Sequence, residues 1–277
     1  MNLLQAGVLG AVEGLTEFLP VSSTGHLILA AHAMGLVGSV MSDFEIVIQV
    51  GALLAVVWLY RARVGELVLG AIGNHRTGRS LLIKLTLGFL PAAVVGLLVH
   101  RAIKAHLFGP LPVAGALLLG GIVMVVFERA RGGRARTARI TSLDAIPRRA
   151  AVAIGLAQVL ALWPGTSRAM VTILAALLLG CTPIVAAEFS FLLALPTLGA
   201  ATLFDLVKSR ESLLGGAGIG PAAVLVGIVV AAAVAALAIR SFLRYLTRRG
   251  LEPFGWYRIA LAVALLLLLR SHLGGVR

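Results

Sequence analysis

Six apolar runs limit what this chain is able to become. They lie at roughly 43–60, 81–99, 111–127, 183–206, 221–239 and 254–269, each about 17 to 24 residues long. At ~1.5 Å of rise per residue, such runs cross a hydrocarbon core of ~30 Å. Two further apolar stretches, 3–36 and 151–179, are each interrupted near the middle by a proline and a polar cluster. Their halves do not cross, because 3–19 carries Glu13 and Glu17 and 151–163 is only about 13 residues long. Both stretches read as re-entrant helix hairpins, since broken backbone at membrane depth is tolerated only inside protein or against a watery cavity. The expected fold is an all-α polytopic membrane protein with six transmembrane helices and two re-entrant hairpins. With 60% hydrophobic and 13% charged residues in 277, the chain lacks the polar side chains that a water-facing surface needs.

The net charge of +13 does not point to nucleic acid, because the basic residues lie between the apolar runs. Lys and Arg number four in 61–80, seven in 129–149 and four in 240–253, against Arg101, Lys104, Lys208, Arg210 and Arg277 on the alternate side. Fifteen against five places the Arg-rich loops in the cytoplasm. The first hairpin then enters from the outer side and the second from the cytoplasmic side. Membrane lipids are the expected surroundings, and 129–149 is a site of affinity for anionic lipid. The single cysteine, Cys181, excludes an internal disulfide and a multi-cysteine metal site, and its apolar neighbours indicate packing. The first charge is Glu13, so the basic start of a signal peptide is missing and residue 1 is expected to be retained.

The two broken stretches divide one membrane domain into repeats of about 1–128 and 150–277, joined by the basic linker 129–149. That linker includes GGRARTAR and reads as an exposed, mobile connection. Each repeat holds one hairpin and three spans, and an odd number of spans inserts the second copy upside down. An offset of about 144 residues pairs Pro20 with Pro164, Ser22 with Thr166 and Ser23 with Ser167. Inverted repeats with broken helices build a polar site where the half-helix ends meet near the midplane.

Residues 13–26, EGLTEFLPVSSTGH, concentrate polar chemistry in a lipid-like chain. Glu13 and Glu17 are four apart and share a helix face, and carboxylates at this depth, at a cost of ~3 kcal/mol each, mark function. After Pro20, the run Ser22, Ser23, Thr24, Gly25 opens a half-helix whose free N–H groups and positive dipole end suit an anion. Gly25 is expected to let a ligand approach the backbone. His26 lies one turn beyond Ser23, within reach of a proton on that hydroxyl or on a leaving group. Serine, histidine and carboxylate together make up an activated nucleophile. The second break, WPGTSR at 163–168, repeats the anion nest with Gly165, Thr166 and Ser167 and adds Arg168, a fork of donors matched to phosphate oxygens. The substrate is expected to be a phosphorylated lipid.

The stretch EGLTEFLPVSSTGH, the later PGTSR, the segment FEIVIQVGALLAVV from Phe44 and FSFLLALP from Phe189 closely resemble the bacterial undecaprenyl-pyrophosphate phosphatase family linked to bacitracin resistance. The resemblance spans almost the whole chain. It implies hydrolysis of a C55 polyprenyl diphosphate to the monophosphate carrier used in peptidoglycan synthesis, in the bacterial cytoplasmic (inner) membrane, by interdigitated inverted repeats with a periplasm-facing site. It implies Ser23 as nucleophile, His26 as proton carrier, and Arg168 with both half-helix N-termini as stabilisers of the transferring phosphoryl group. Glu17 and Glu13 would orient His26 or hold a divalent cation, Mg²⁺ or Ca²⁺, bridging the diphosphate. One departure is Ala169, where the family commonly has serine, with Thr172 in reserve for the hydrogen bonding around Arg168.

Plainer readings stand beside these. An isolated Ser-Ser-Thr is a helix N-cap, Glu13 or Glu17 with Arg168 is a structural ion pair, and a lone His26 is a satisfied interior histidine. Water activated by Glu17 or His26 would replace Ser23 as attacking group, leaving Ser23 to bind phosphate. Glu45 and Glu188 near span starts read as interfacial, and Asp205 as the outer end of its span. His32, His75, His100, His106 and His272 show no metal pattern. A secondary transporter or flippase of a phosphorylated polyprenyl lipid would share the repeats and buried charges, though a nucleophile and histidine in one half only argue against it. A non-catalytic lipid-binding protein would not need Ser23 and His26 beside two carboxylates. The oligomeric state stays open between monomer and homodimer.

Overall fold

The computed structural model describes residues 1–36, 39–107, 109–131, 138–208 and 219–274. In chain order its helices are α1 (Leu3–Thr16), α2 (Ser23–Ala33), α3 (Ser39–Leu59), α4 (Arg61–Ala71), α5 (Arg76–His106) and α6 (Pro110–Arg131). There follow α7 (Arg148–Gln158), a 3-10 turn (Val159–Leu162), α8 (Arg168–Leu178), α9 (Pro183–Lys208), α10 (Pro221–Leu246) and α11 (Glu252–Gly274). Among the described residues there is no strand, only an isolated bridge between Ile140 and Cys181. The chain is an all-helical, polytopic membrane protein: five helices are long and apolar enough to cross a bilayer, or six if the bent pair 43–59 and 61–71 counts as one span.

Local chemistry starts and stops these helices. Asn2 and Gln5 form a capping box at α1, with Asn2 Oδ1 accepting from the Gln5 N–H at 2.8 Å and Gln5 Oε1 from the Asn2 N–H at 3.0 Å. At the far end Glu17 is the C-cap, its N–H donating to Glu13 O at 2.9 Å. Pro20 lies three residues further on, and α2 begins after a non-glycine residue of positive φ, Ser22 (φ 73°). The second hairpin repeats the device: α7 runs into the 3-10 turn, Pro164 follows, and α8 begins after Ser167 (φ 71°). Among the described residues these two serines are the only non-glycine positions of positive φ, a sparsely populated backbone state that collects at functional sites.

Matching these two serines corrects the register of the repeat. The starts of α1 and α7, α2 and α8, and α5 and α10 differ by 145 in each case (148 − 3, 168 − 23 and 221 − 76). Ser22 therefore matches Ser167, and Ser23 matches Arg168, in place of the expected pairing of Ser23 with Ser167. Gly165 stands where the first hairpin has Pro20, and its φ of +94° and its position against Val113 O, 2.6 Å from where a Cβ would stand, admit only glycine.

The halves interleave. Helix α1 packs along α10 of the other half, and α7 along α5. Equivalent glycines permit both approaches: a Cβ on Gly10 would meet Gly227 O at 2.6 Å, and one on Gly155 would meet Gly88 O at 2.5 Å. Each broken helix is thus held by a span from the opposite repeat.

Two expectations about the loops need correction. The segment expected as an Arg-rich loop after the first span contains α4, which turns away from α3 by 87° and packs against α5. Residues 138–149 of the linker do not form an exposed tether, because Leu143 and Ile146 are buried in the main core. Lys84 Nζ donates to Asp144 O at 2.8 Å and to Leu143 O at 3.4 Å, and the Thr182 N–H donates to Ile140 O at 3.0 Å. The GGRARTA part, 132–138, lies almost wholly outside the described residues. Cys181 is buried and unbridged, as expected of a packing residue.

Candidate active site

The ends of α1, α2 and α8 meet at one buried point. Glu17 and Arg168 are each 8% exposed, and Glu17 Oε1 lies 3.4 Å from Arg168 Nη2. The other oxygen, Oε2, accepts a 2.6 Å hydrogen bond from Ser23 Oγ. One carboxylate therefore joins the serine of the first break to the arginine of the second. The contacts to Arg168 and to Ser23 fall on different oxygens of the same group.

Arg168 is held rigidly. Its Nη1 donates to Ser190 O at 2.8 Å and to Ser190 Oγ at 3.3 Å. Thr172 Oγ1 donates to Arg168 O at 2.8 Å and lies 2.6 Å from Ser190 Oγ. The hydroxyl that Ala169 lacks is thus supplied by Ser190 of α9 together with Thr172. The guanidinium also stands 5.7 Å from the ring centroid of Phe18, which is fully buried. Its Nε is buried without a hydrogen-bond partner, a donor left over for an anion.

The two helix N-termini differ in what closes them. Ser167 Oγ accepts from the Met170 N–H at 3.3 Å, so α8 is capped by its own serine. Ser22 makes no such cap, and α2 presents its first amides uncovered. Thr24 follows Ser23 in that first turn, and the Thr166 N–H is spent on Trp163 O at 3.1 Å. A Cβ on Gly25 would stand 3.0 Å from the Leu117 side chain of α6. The smallness of this glycine serves packing between α2 and α6.

His26 departs from the expected pairing with Ser23. Its Nδ1 donates to Ser22 O at 2.7 Å, which makes Nε2 the acceptor in the neutral ring, and Tyr257 Oη donates to Nε2 at 2.7 Å. The rings of His26 and Tyr257 are nearly parallel, 8° apart with centroids at 5.6 Å. Ser23 thus has Glu17, and not His26, as the base in contact with it.

Glu13 is 2% exposed, one turn before Glu17, and its carboxylate makes no hydrogen bond among the described residues. Glu45, expected at the interface, is half-buried and close enough to interact electrostatically with Glu13. Among the described residues no three His, Cys, Asp or Glu side chains are grouped to hold a metal.

Four participants escaped the motif reading: Ser190, Ala116 through its carbonyl, Tyr257 and Arg258. The span 254–269 contains Arg258, and an arginine inside a span is a signal in itself. Among the described residues Tyr257 makes the side-chain hydrogen bond to His26, so Tyr257→Phe should lower the rate of phosphate release about 3- to 10-fold by removing a hydrogen bond of ~1 kcal/mol while keeping the stacked ring. Steady-state release from purified protein checks this, and an unchanged rate would separate His26 from the reaction.

With this geometry in hand, the comparisons with known proteins are specific. The family model described as bacitracin resistance protein BacA matches residues 6–264. An undecaprenyl-diphosphatase of Sorangium cellulosum is 53% identical over 266 residues, 96% of this chain and 86% of the relative. Undecaprenyl-diphosphatase 2 of Rhodospirillum rubrum is 46% identical, covering 95% of this chain and 94% of its own length. An undecaprenyl-diphosphatase of a Thermoanaerobacter species is 43% identical over 98% of both chains.

Proposed function

The chain belongs to the bacitracin resistance protein BacA family, and from that premise we propose how its broken helices remove the terminal phosphate of undecaprenyl diphosphate. The protein is an undecaprenyl-diphosphatase, a membrane hydrolase that yields undecaprenyl phosphate and inorganic phosphate. The observation that carries the mechanism is Glu17, with Ser23 Oγ on one oxygen and Arg168 on the other.

Ser23 Oγ attacks the terminal phosphorus while Glu17 takes its proton, and the anhydride P–O bond breaks with undecaprenyl phosphate as leaving group. Arg168 Nε and the uncovered amides of α2 stabilise the charge on the transferring phosphoryl oxygens. Water then attacks the phosphoserine and the Ser23 Oγ–P bond breaks, Ser23 Oγ taking back the proton held on Glu17 while both water protons leave with the product as dihydrogen phosphate, which restores the Glu17 carboxylate. His26, fixed between Ser22 O and Tyr257, keeps the role of proton carrier for the departing groups. Ser22, Thr24, Thr166 and Ser167 shape the two turns that close on the phosphate.

Glu13 and Glu17 are the residues that would hold Mg²⁺ or Ca²⁺. Because both Glu17 oxygens already have partners, the diphosphate must complete the coordination. When bound, the ion neutralises charge on the diphosphate.

For topology, we propose six spans and two re-entrant hairpins in inverted repeats, Arg-rich loops in the cytoplasm and the site opening to the outer face of the inner membrane. The 145-residue correspondence and the exchange of α1 and α7 between halves support this. The same correspondence favours hydrolysis over flipping: Gln158 stands at the position of Glu13 and Leu162 at that of Glu17, so only the first break carries acid–base groups.

Purified protein given undecaprenyl diphosphate should release inorganic phosphate, lose that activity in chelator and regain it with Mg²⁺ or Ca²⁺. Transfer of the intact lipid between vesicle leaflets without phosphate release would overturn the reading in favour of a flippase.

A further inference from the structure

Arg258 of α11 is fully buried and makes no ion pair among the described residues. A cation in that position is costly unless its donors are used. Two of its three nitrogens are used on backbone carbonyls: Nη1 donates to Pro20 O at 3.4 Å, and Nη2 to Gly165 O at 2.9 Å and Ala116 O at 3.1 Å.

The acceptors are not arbitrary. Pro20 and Gly165 differ by the 145 residues of the repeat (165 − 20), so they are the same carbonyl in the two broken hairpins, each two residues before a positive-φ serine. Helices α6 and α11 start 142 residues apart (252 − 110), and Ala116 and Arg258 differ by the same 142 (258 − 116). Arg258 therefore bonds to the residue at its own position in the other half and grips both breaks at once. Space for it is left by Gly120 of α6, where a Cβ would stand 2.3 Å from Nη2.

We infer that Arg258 is a positioning residue for the phosphatase reaction, a single guanidinium that sets the spacing between the two half-helix N-termini. Ser23 leaves the first break one residue after Ser22, and Arg168 leaves the second one residue after Ser167. The distance between nucleophile and phosphate-gripping cation is thus fixed through the two carbonyls that Arg258 holds. A mere packing residue would not need charge, and both terminal nitrogens of Arg258 are spent on backbone, which leaves only the buried Nε without a partner. The inference rests on the hydrolytic reading above.

The test compares Arg258→Met, Arg258→Lys and Gly120→Ala in the full-length protein, with kcat and KM normalised to folded enzyme. Methionine should lower kcat roughly 100-fold with KM within about threefold, as expected for a misplacement of ~1 Å. Lysine keeps the charge but not the span of three carbonyls, and should recover only part of that loss. Gly120→Ala leaves Arg258 in place but crowds Nη2 off its acceptors, and should lower kcat in the same direction even if the methionine variant fails to fold. Hydrogen exchange at the amides of 22–25 and 167–170 should quicken in each variant, a readout independent of turnover. Unchanged kcat in folded variants would overturn the inference, as would a rise in KM alone, which would make Arg258 a direct substrate ligand. Failure of the parent protein to release phosphate would instead overturn the hydrolytic reading, and the exchange data would still judge the clamp.

Discussion

Ser23→Ala should reduce phosphate release by roughly a thousandfold or more, because in the proposed mechanism it removes the nucleophile itself and not one of several stabilising contacts. The structure makes the variant clean. Among the described residues Ser23 Oγ has one hydrogen-bond partner, Glu17 Oε2 at 2.6 Å, and Glu17 retains Arg168 when that bond is lost. Folding and insertion should therefore be preserved. Parent enzyme quenched in acid during turnover of substrate labelled in the terminal phosphate should carry label on Ser23, and the variant should carry none. Turnover of Ser23→Ala within about tenfold of the parent would instead make water the attacking group, with Glu17 as its base and Ser23 a phosphate ligand.

The broken hairpins were legible because a lipid-like sequence has few reasons to contain Pro20 followed by Ser22 and Ser23, or Pro164 followed by Thr166 and Ser167. What was not legible was their exact register. Aligning prolines puts the two breaks out of step by one residue, because Pro164 stands at the position of Leu19 and Gly165 at that of Pro20, and the backbone torsions of Ser22 and Ser167 reveal the shift. The consequence is chemical, since Ser23 and Arg168 occupy the same structural position and the proposed nucleophile and cation are divided between the two halves. Helix α4 reads as loop in the sequence because four arginines dominate 61–80, yet Leu67 and Gly70 bury one side of it. Residues 138–149 read as tether on their charge, while Leu143 and Ile146 anchor them in the core and Lys84 and Thr182 bond their carbonyls. Helical spacing pairs His26 with Ser23, which gives the face of a helix but not the competition from Tyr257, 231 residues away in sequence. Tyr257 and Arg258 escaped notice because an aromatic next to a basic residue resembles an interfacial anchor. Contacts of this kind depend on which distant helices are neighbours, and hydropathy does not carry that information.

Arg168→Gln should cost both activity and stability, and the two losses separate its roles. Loss of the guanidinium removes the phosphate-facing Nε, and cations so placed in phosphoryl transfer contribute roughly a thousandfold or more to rate. The substitution also leaves the Glu17 carboxylate buried without its partner, a change worth ~3–5 kcal/mol when one member of a buried pair is removed. A drop in thermal midpoint is therefore expected together with the loss of turnover. Arg168→Lys should rescue stability better than rate, because an ammonium restores charge near Glu17 but does not serve Ser190 O, Ser190 Oγ and a phosphate oxygen in one plane. The decisive comparison adds Glu17→Gln. If Glu17 and Arg168 balance one another, the double variant should be more stable than Arg168→Gln alone, since both charges leave the interior together. It should also remain inactive, because Ser23 has then lost its base. A double variant no more stable than Arg168→Gln would show that Glu13, one turn earlier and equally buried, is the carboxylate that the arginine neutralises.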